Sequence, residues 1–280
     1  MINEILNGLS KLTSSSQEVL PDILLLHFTI VSACIVGDSK EWVLVDTGLE
    51  NSYDFIMESA KKRFGVESRP EAIILTHGHF DHVGSVIKLS EEWDVPVYAH
   101  SLEIPYITGK EDYPTADSSV DEGLVAKMSP AFPHTSINLG YRVAALPRDG
   151  SVPGMKGWKW IHTPGHTRGH ISLFRENDST LIVGDAFTTT KQESFMSVLT
   201  QKEKIKGPPA YLTTDWKTAQ KSVELIAKLK PHLAIPSHGM PMARDELKRH
   251  LEYLVQNFEE ISVPHKGRFA GSETKPDSVQ

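Results

Sequence analysis

A short loop with four metal-ligand residue types is the feature that most constrains how this chain folds. The four residues are His77, His79, Asp81 and His82, between the apolar run Ala72–Leu75 and the helix-like run Val83–Leu89. Side chains at positions i, i+2 and i+4 of an extended strand share one face, and His82 departs from this spacing as a turn into a helix would require. The spacing lets the two histidines of the His-x-His pair bind one metal while the Asp-His pair points at a second. Imidazole and carboxylate ligands without thiolate suit zinc, iron or manganese.

Three further candidate ligands lie where an apolar run meets a loop. They are His166, in a Gly- and Pro-bent loop after the run that ends at His162, Asp185, after Leu181–Gly184, and His238, after Ile235–Ser237. Each occupies the same kind of position as the His-rich loop. These positions strengthen the prediction of a metal site.

From about Val43 to His238 the chain resembles the metallo-β-lactamase superfamily, and within it the single-domain hydrolases near glyoxalase II and the lactonases. The resemblance implies two zinc ions, with iron or manganese as the alternative metals. The implied ligands are His77, His79 and His166 for the first metal, Asp81, His82 and His238 for the second, and Asp185 as the bridge between them. Two positions depart from the family pattern, because Ser85 and Ser237 stand where glycine is common, and neither changes a ligand.

The order of apolar runs predicts an α+β protein. Strand-rich halves that are each followed by helices suggest two sheets packed face to face with helices outside. The resemblance implies the same arrangement, a four-layer αββα sandwich. We expect one metallo-β-lactamase-like domain over residues 1–262 and a polar C-terminal tail over residues 263–280. Single helices are predicted over Val83–Trp93 and Arg244–Ile261, and Met1–Gln17 is expected to be a short helix or a frayed end.

Two irregular segments, residues 101–140 and 187–209, are predicted to be active-site loops, since long segments of this kind in a compact domain are usually functional. A lid over the metals and a plain surface excursion both remain open for residues 101–140. The residues considered for support of the ligands or for substrate contact are Asp46, His170, Phe187, Thr188, Trp216 and Tyr113. A supporting carboxylate would orient a histidine ligand. The alternatives are a strand-end turn for Asp46 and ordinary packing for His170 and the aromatic residues.

The resemblance implies a hydrolase of a small ester, thioester or lactone. Two divalent cations would lower the pKa of a shared water towards ~7, so that hydroxide attacks a carbonyl carbon. Asp81 is the candidate to act as both ligand and proton acceptor. Lactonases that open acyl-homoserine lactones commonly have a tyrosine three residues after the bridging Asp, and this chain has Thr188 there. The alternatives are a mononuclear iron oxidoreductase that resembles persulfide dioxygenases, a phosphodiesterase, and a metal-stabilised binding protein without catalysis.

Composition restricts the partners. The net charge is −7 and no Lys/Arg-rich block occurs, which argues against a nucleic-acid partner. The apolar run Ile23–Val36 is too short and too interrupted to span a membrane. The single cysteine, Cys34, excludes an internal disulfide and fits a reducing cytoplasm. We therefore expect a cytoplasmic enzyme with a small-molecule substrate and no nucleic-acid or membrane partner, and homodimer formation is left open.

Overall fold

The computed structural model describes residues 14–120, 124–189 and 205–270. The first sheet has seven strands in sequence order: β1 Ser15–Leu20, β2 Ile23–His27, β3 Ser32–Gly37, β4 Trp42–Val45, β5 Ala72–Ile74, β6 Val97–Ala99 and β7 Val143–Ala145. Neighbours from β1 to β4 pair antiparallel, and neighbours from β4 to β7 pair parallel. The sheet therefore changes from hairpins to crossover connections at β4.

The second sheet has five strands. They are β8 Trp158–His162, β9 Ile171–Arg175, β10 Thr180–Gly184, β11 Leu233–Pro236 and β12 Met242–Ala243, in the spatial order β12-β11-β10-β9-β8. All neighbouring pairs are antiparallel except β10 and β11, which are parallel. Strands β9 and β10 therefore form a hairpin.

Helices cover the outer faces of both sheets. Those in the described ranges are α1 Tyr53–Phe64, α2 Phe80–Val83, α3 Val86–Trp93, α4 Ile104–Ile107, α5 Leu124–Met128, α6 Trp216–Leu229, α7 Arg244–Gln256 and α8 Phe258–Ser262. Apolar side chains of α1 and α3 share a core with the first sheet, and those of α6 and α7 share a core with the second. A third core joins the two sheets. These three cores establish the expected four-layer αββα arrangement.

Strand β3 shows how one strand serves two of these cores. Ala33 and Ile35 belong to the core with α1 and α3, whereas Cys34 and Val36 belong to the core between the sheets. Successive side chains of a strand point to opposite faces. Because both faces are buried, the sequence of this strand is a continuous apolar run rather than an alternating one.

The predicted helix over Val83–Trp93 is interrupted. Helix α2 ends at Val83 and α3 begins at Val86, after Gly84. A Cβ atom at Gly84 would lie 2.3 Å from the backbone of Leu49 and Glu50, and the Gly84 N–H donates to the Gly48 carbonyl at 2.9 Å. Only glycine allows this close approach of two backbones. The helix breaks because the His-rich loop contacts the loop after β4. The helical pattern of the sequence gives no sign of this contact.

Other boundaries also differ from expectation. The predicted helix over Arg244–Ile261 divides at Asn257 into α7 and α8. Of Met1–Gln17 the structure describes residues 14–17, and Ser15–Gln17 begin an edge strand instead of a helix. This strand is largely exposed, so it lacks the apolar alternation that would have identified it.

The described part of the predicted tail, residues 263–270, lies against the domain. The Arg268 backbone N–H donates to the Asp117 carboxylate at 2.5 Å, and Phe269 packs against the core of the second sheet. No helix within the described ranges is long and apolar enough to cross a membrane.

Trp42 provides a test of the core beneath the first sheet. Its side chain is 1% exposed, and its ring centroid lies 5.1 Å from that of Phe64 and 5.6 Å from that of Trp93. Replacing Trp42 by Ala leaves a cavity, and we expect the free energy of unfolding to fall by about 3–5 kcal/mol in urea denaturation. Tyr141→Ala, at a side chain that is 89% exposed, is the control and should stay within about 0.5 kcal/mol of the parent. Equal losses in the two variants would contradict this role of Trp42.

Candidate metal centre

The seven predicted ligands converge at one edge of the two sheets. Their positions follow β5, β8, β10 and β11, and each is at most 4% exposed: His77, His79, Asp81, His82, His166, Asp185 and His238. Polar residues in an ordinary surface turn would be exposed to water. Burial of seven such groups together is typical of a metal or catalytic site.

Three imidazoles form one set. The Nδ1 atom of His79 lies 3.0 Å from Nε2 of His77 and 3.0 Å from Nε2 of His166. A neutral imidazole carries one N–H, so these three nitrogens cannot all be satisfied by hydrogen bonds to one another. Their ligand atoms lie within 4.8 Å of one another, a spacing at which they could hold one metal ion.

A second set shares the Asp185 carboxylate with the first. Asp185 Oδ2 lies 3.2 Å from His166 Nε2 and 3.1 Å from His238 Nε2, and its Oδ1 lies 3.4 Å from His82 Nε2. Asp81 Oδ2 lies 3.6 Å from His238 Nε2, and Asp81 Oδ1 lies 4.0 Å from His82 Nε2. Asp185 therefore stands between the set of three histidines and the set formed by Asp81, His82 and His238.

Hydrogen bonds at Nδ1 orient the rings of His166 and His238. His166 Nδ1 lies 3.0 Å from Thr213 Oγ1, and this hydroxyl donates its own hydrogen to the Pro209 carbonyl at 2.8 Å. The hydroxyl must therefore accept from the imidazole. His238 Nδ1 donates to the Ile30 carbonyl at 2.6 Å, because a carbonyl can only accept. In both rings the hydrogen sits on Nδ1, so in the neutral ring the Nε2 lone pair faces the centre.

Asp46, at the end of β4, orients two more histidines. Its Oδ2 accepts from His82 Nδ1 at 2.9 Å and from the Thr76 hydroxyl at 2.7 Å, and its Oδ1 accepts from the Thr76 N–H at 2.8 Å. The Thr76 oxygen is then free to accept from His77 Nδ1 at 3.1 Å. The structure thus gives Asp46 the supporting contact rather than that of a simple turn residue.

His170 holds the backbone of the bridging residue. Its Nε2 accepts from the Asp185 N–H at 2.8 Å, while its Nδ1 donates to the Thr163 carbonyl at 3.0 Å. Burial lowers the pKa of His170 to about 3, and the nearby His166 adds to this shift. The ring is therefore neutral at physiological pH and can act as an acceptor. His170 supports Asp185 and does not belong to the clusters of ligand atoms.

The two sets differ in charge preference. Burial, together with neighbouring imidazoles, lowers the pKa of His77 and of His79 well below the ordinary value. Burial also acts against a charged His82, but the carboxylates of Asp185, Asp46 and Asp81 outweigh it and raise the pKa of His82 well above the ordinary value. His77 and His79 are accordingly neutral, whereas the carboxylates around His82 favour positive charge there.

The donor atoms fit a pair of divalent cations. Asp81 Oδ1, His82 Nε2 and Asp185 Oδ1 are buried and have no hydrogen-bond partner within the described residues. Each unsatisfied buried polar atom costs about 1–3 kcal/mol, and more when it is charged. The three atoms lie close together, with His82 Nε2 4.0 Å from Asp81 Oδ1 and 3.4 Å from Asp185 Oδ1. Cations bound there would satisfy them without any change in the fold.

Other predicted candidates are placed differently. The Tyr113 ring lies 4.5 Å from that of His79, so Tyr113 lies beside the candidate ligands. Burial and the Glu103 carboxylate raise the pKa of Tyr113 well above its ordinary value, and the phenol keeps its proton. Phe187 and Trp216 lie in the core between the second sheet and its helices. Thr188 exchanges two backbone hydrogen bonds with residue 206, at 2.9 and 2.8 Å.

Several residues of the centre have no sequence signal. Three ordinary polar groups contact the predicted ligands: the Thr213 hydroxyl, the Thr76 hydroxyl and the carbonyl of Ile30. No motif spacing in the sequence distinguishes these residues. Glu103 is fully buried next to the centre, in a segment without regular structure pattern. A buried charge in an irregular segment becomes visible only when the fold is known.

Asp46→Asn tests how the centre is supported. An amide nitrogen in place of one carboxylate oxygen would oppose either the Thr76 N–H or the two donors on Oδ2, so His82 and His77 lose alignment. We expect zinc affinity to fall about 10–100-fold in titration against a competing chelator, as for other such supporting groups. Asp38→Asn, at an exposed turn, is the control. Unchanged zinc affinity in Asp46→Asn would show that this carboxylate does not support the ligands.

Comparison with known proteins identifies the family of the chain. Residues 28–238 match the family model for the metallo-beta-lactamase superfamily. Bacillus subtilis (strain 168) has two similar proteins: "Probable metallo-hydrolase YflN", 50% identical over 80% of this chain and 85% of its own, and "Probable metallo-hydrolase YybB", 31% identical over 77% and 84%.

Solved structures agree in fold. The BLEG-1 B3 metallo-beta-lactamase superposes with a TM-score of 0.58 at 20% identity, covering 86% of this chain and 99% of that chain. TTHA1623, in a di-iron-bound form, superposes with a TM-score of 0.52 at 24% identity, covering 79% and 93%. With the matched family model and the two Bacillus relatives, these findings show that the chain belongs to the metallo-β-lactamase superfamily.

Proposed function

We propose that this protein is a dinuclear metallohydrolase that acts on a small ester, thioester or lactone. The observation that carries the proposal is the position of Asp185, whose two oxygens face histidines of both sets. In this proposal His77, His79 and His166 bind one cation and Asp185 bridges to the second. Asp81, His82 and His238 complete the second site.

Two divalent cations in such a centre polarise a carbonyl oxygen and lower the pKa of a bound water to about 7. The chain offers no thiolate for this task. Cys34 is 3% exposed on β3, and burial together with Asp46 raises the pKa of its thiol well above the ordinary value. Water is therefore the nucleophile that the described residues support.

Asp81 is the proposed proton acceptor. Its Oδ1 is buried at the centre without a hydrogen-bond partner, and its other oxygen lies 3.6 Å from His238 Nε2. A carboxylate in this position can orient the attacking water and take up its proton. His170 and Asp46 take no part in the proton transfer, because each is committed to holding a ligand.

Zinc is the proposed metal, and iron remains the main alternative. Ligands of imidazole and carboxylate type suit both metals, and TTHA1623 was crystallised in a di-iron-bound form. A mononuclear iron oxidoreductase would need only part of this ligand set. The second set, with Asp81, His82 and His238 in one cluster, supports two metals and hence hydrolysis. The cytoplasmic location and the homodimer stay predictions, as does the small-molecule substrate.

The cleft beside the His-rich loop fits a substrate that has an apolar part. Its volume is about 260 Å³, and its lining includes Gly78, Phe80, Tyr113, His134, Thr135 and Ile137. The ring of Phe132 lies 5.3 Å from that of Phe80, so residues 132–137 form one wall of this region. An acyl chain is the proposed occupant, because apolar pockets with a few polar groups bind such chains.

His77→Ala and Asp185→Ala test the hydrolase proposal. Each variant removes a ligand, so we expect metal content to fall below the two ions per chain proposed for the parent. Turnover of model esters, thioesters and lactones should fall at least about a hundredfold, since a metal contributes several kcal/mol of transition-state stabilisation. Glu176→Gln, in the exposed β9–β10 turn, is the control. Full turnover after chelation of the parent, or in either ligand variant, would overturn the proposal.

Thr135→Trp tests the cleft. The indole would fill part of the space at an exposed position, while the metal ligands stay in place. We expect KM for a long-chain ester to rise roughly tenfold and KM for the acetyl ester to stay unchanged, as for other filled apolar pockets. Thr135→Ser is the matched control. Equal effects on long and short esters would place the acyl chain elsewhere.

A further inference from the structure

A fully buried carboxylate outside the ligand set lies between the two loops that carry the three-histidine set. Glu103 follows β6, just before α4, and its side chain is 0% exposed. It is not among the groups of potential metal ligands. A charge this deeply buried is stable only when its hydrogen-bond partners are supplied by the protein.

The partners of Glu103 come from both loops. Its Oε2 accepts from the Gly78 N–H at 3.0 Å, and Gly78 lies between ligands His77 and His79. Its Oε1 accepts from the Gly169 N–H at 2.8 Å and from the Thr167 hydroxyl at 2.7 Å, on the loop that carries His166. One carboxylate thus ties the His-x-His loop to the loop of the third histidine.

Two further contacts hold the Glu103 carboxylate between these loops. The Tyr113 hydroxyl also donates to Oε2 and in turn accepts from the Gly78 N–H at 3.0 Å. A Cβ atom at Gly169 would lie 2.8 Å from the side chain of Glu103, so glycine makes the approach feasible. All four partners of the carboxylate are donors, and both of its oxygens act only as acceptors.

We propose that Glu103 is a positioning residue for the set His77, His79 and His166. Its carboxylate fixes the distance between the two loops and hence the convergence of the three imidazole nitrogens on one cation. The inference rests on the proposed function only in so far as this set binds a metal. No hydrogen bond within the described residues joins Glu103 to Asp81, His82 or His238. Loss of the carboxylate should therefore weaken one metal site and spare the other.

Glu103→Gln is the appropriate change because it keeps the shape of the side chain. The amide nitrogen is a donor, and whichever way the amide turns it faces N–H and O–H donors. Either the Gly78 contact or the Gly169 contact is then lost. Tyr113→Phe is a milder second variant, since it removes one donor to Oε2 and leaves the carboxylate in place.

The experiment measures Zn²⁺ affinity of full-length protein in two backgrounds, by titration against a competing chelator. His238→Ala retains the three-histidine set, and His166→Ala retains the Asp81-His82-His238 set. In the His238→Ala background we expect Glu103→Gln to weaken Zn²⁺ binding about 10–100-fold, as for other groups that orient ligands. Tyr113→Phe should weaken it less, in the same direction. In the His166→Ala background both changes should leave the affinity unchanged within error.

Circular dichroism of the metal-free variants shows whether they are folded, and Glu176→Gln serves as the control for a surface carboxylate. A fall of similar size in both backgrounds would mean that Glu103 acts only on overall stability and would overturn the inference. Unchanged Zn²⁺ affinity in both backgrounds would overturn it as well. If Glu103→Gln does not fold, Tyr113→Phe decides by the same criterion. No arm of this experiment requires turnover. Absence of turnover of esters, thioesters and lactones would therefore overturn the proposed function without affecting this test.

Discussion

The convergence of seven imidazole and carboxylate groups in a buried space is the constraint on which the rest of the structure depends. Taking carboxylates out of water is strongly unfavourable unless opposite charge is supplied. The carboxylates of Asp185, Asp46 and Asp81 raise the pKa of His82 despite its burial. Burial and neighbouring imidazoles instead lower the pKa values of His77 and His79. Two cations would relieve this imbalance, and binding them requires the release of any proton that His82 holds.

The fold serves this convergence by placing loop ends together. Strands β5, β8, β10 and β11 all deliver their ligands at one edge of the sandwich, and the core between the sheets fixes that edge. The outer ring nitrogens are then held by groups from yet other segments, such as Thr213 and the carbonyl of Ile30. The geometry of the centre is thus a property of the whole domain rather than of the His-rich loop.

The sequence predicted seven candidate ligands from the family resemblance and from their positions where apolar runs meet loops, and the structure brings these seven side chains together. The four-layer architecture followed from the order of strands and helices and from the family resemblance. The local sequence pattern gave wrong helix and strand boundaries where a contact with a distant segment determines the secondary structure. The break at Gly84 depends on the loop after β4, and the exposed strand β1 depends on pairing with β2. Glu103 and Thr213 gave no signal for the same reason, since only tertiary placement brings them to the centre.

Two hydrogen bonds connect the sheets beside the predicted ligand His238. The Ile30 carbonyl, in the turn between β2 and β3, accepts from His238 Nδ1 at 2.6 Å, and the Ser32 N–H donates to the Ser237 carbonyl at 2.8 Å. A small slip of one sheet past the other would therefore rotate this imidazole away from Asp185. Protein interiors are close-packed and transmit such strain. Substitutions in the layer of side chains between the sheets are therefore expected to disturb the geometry of the candidate metal centre as well as the packing of the core.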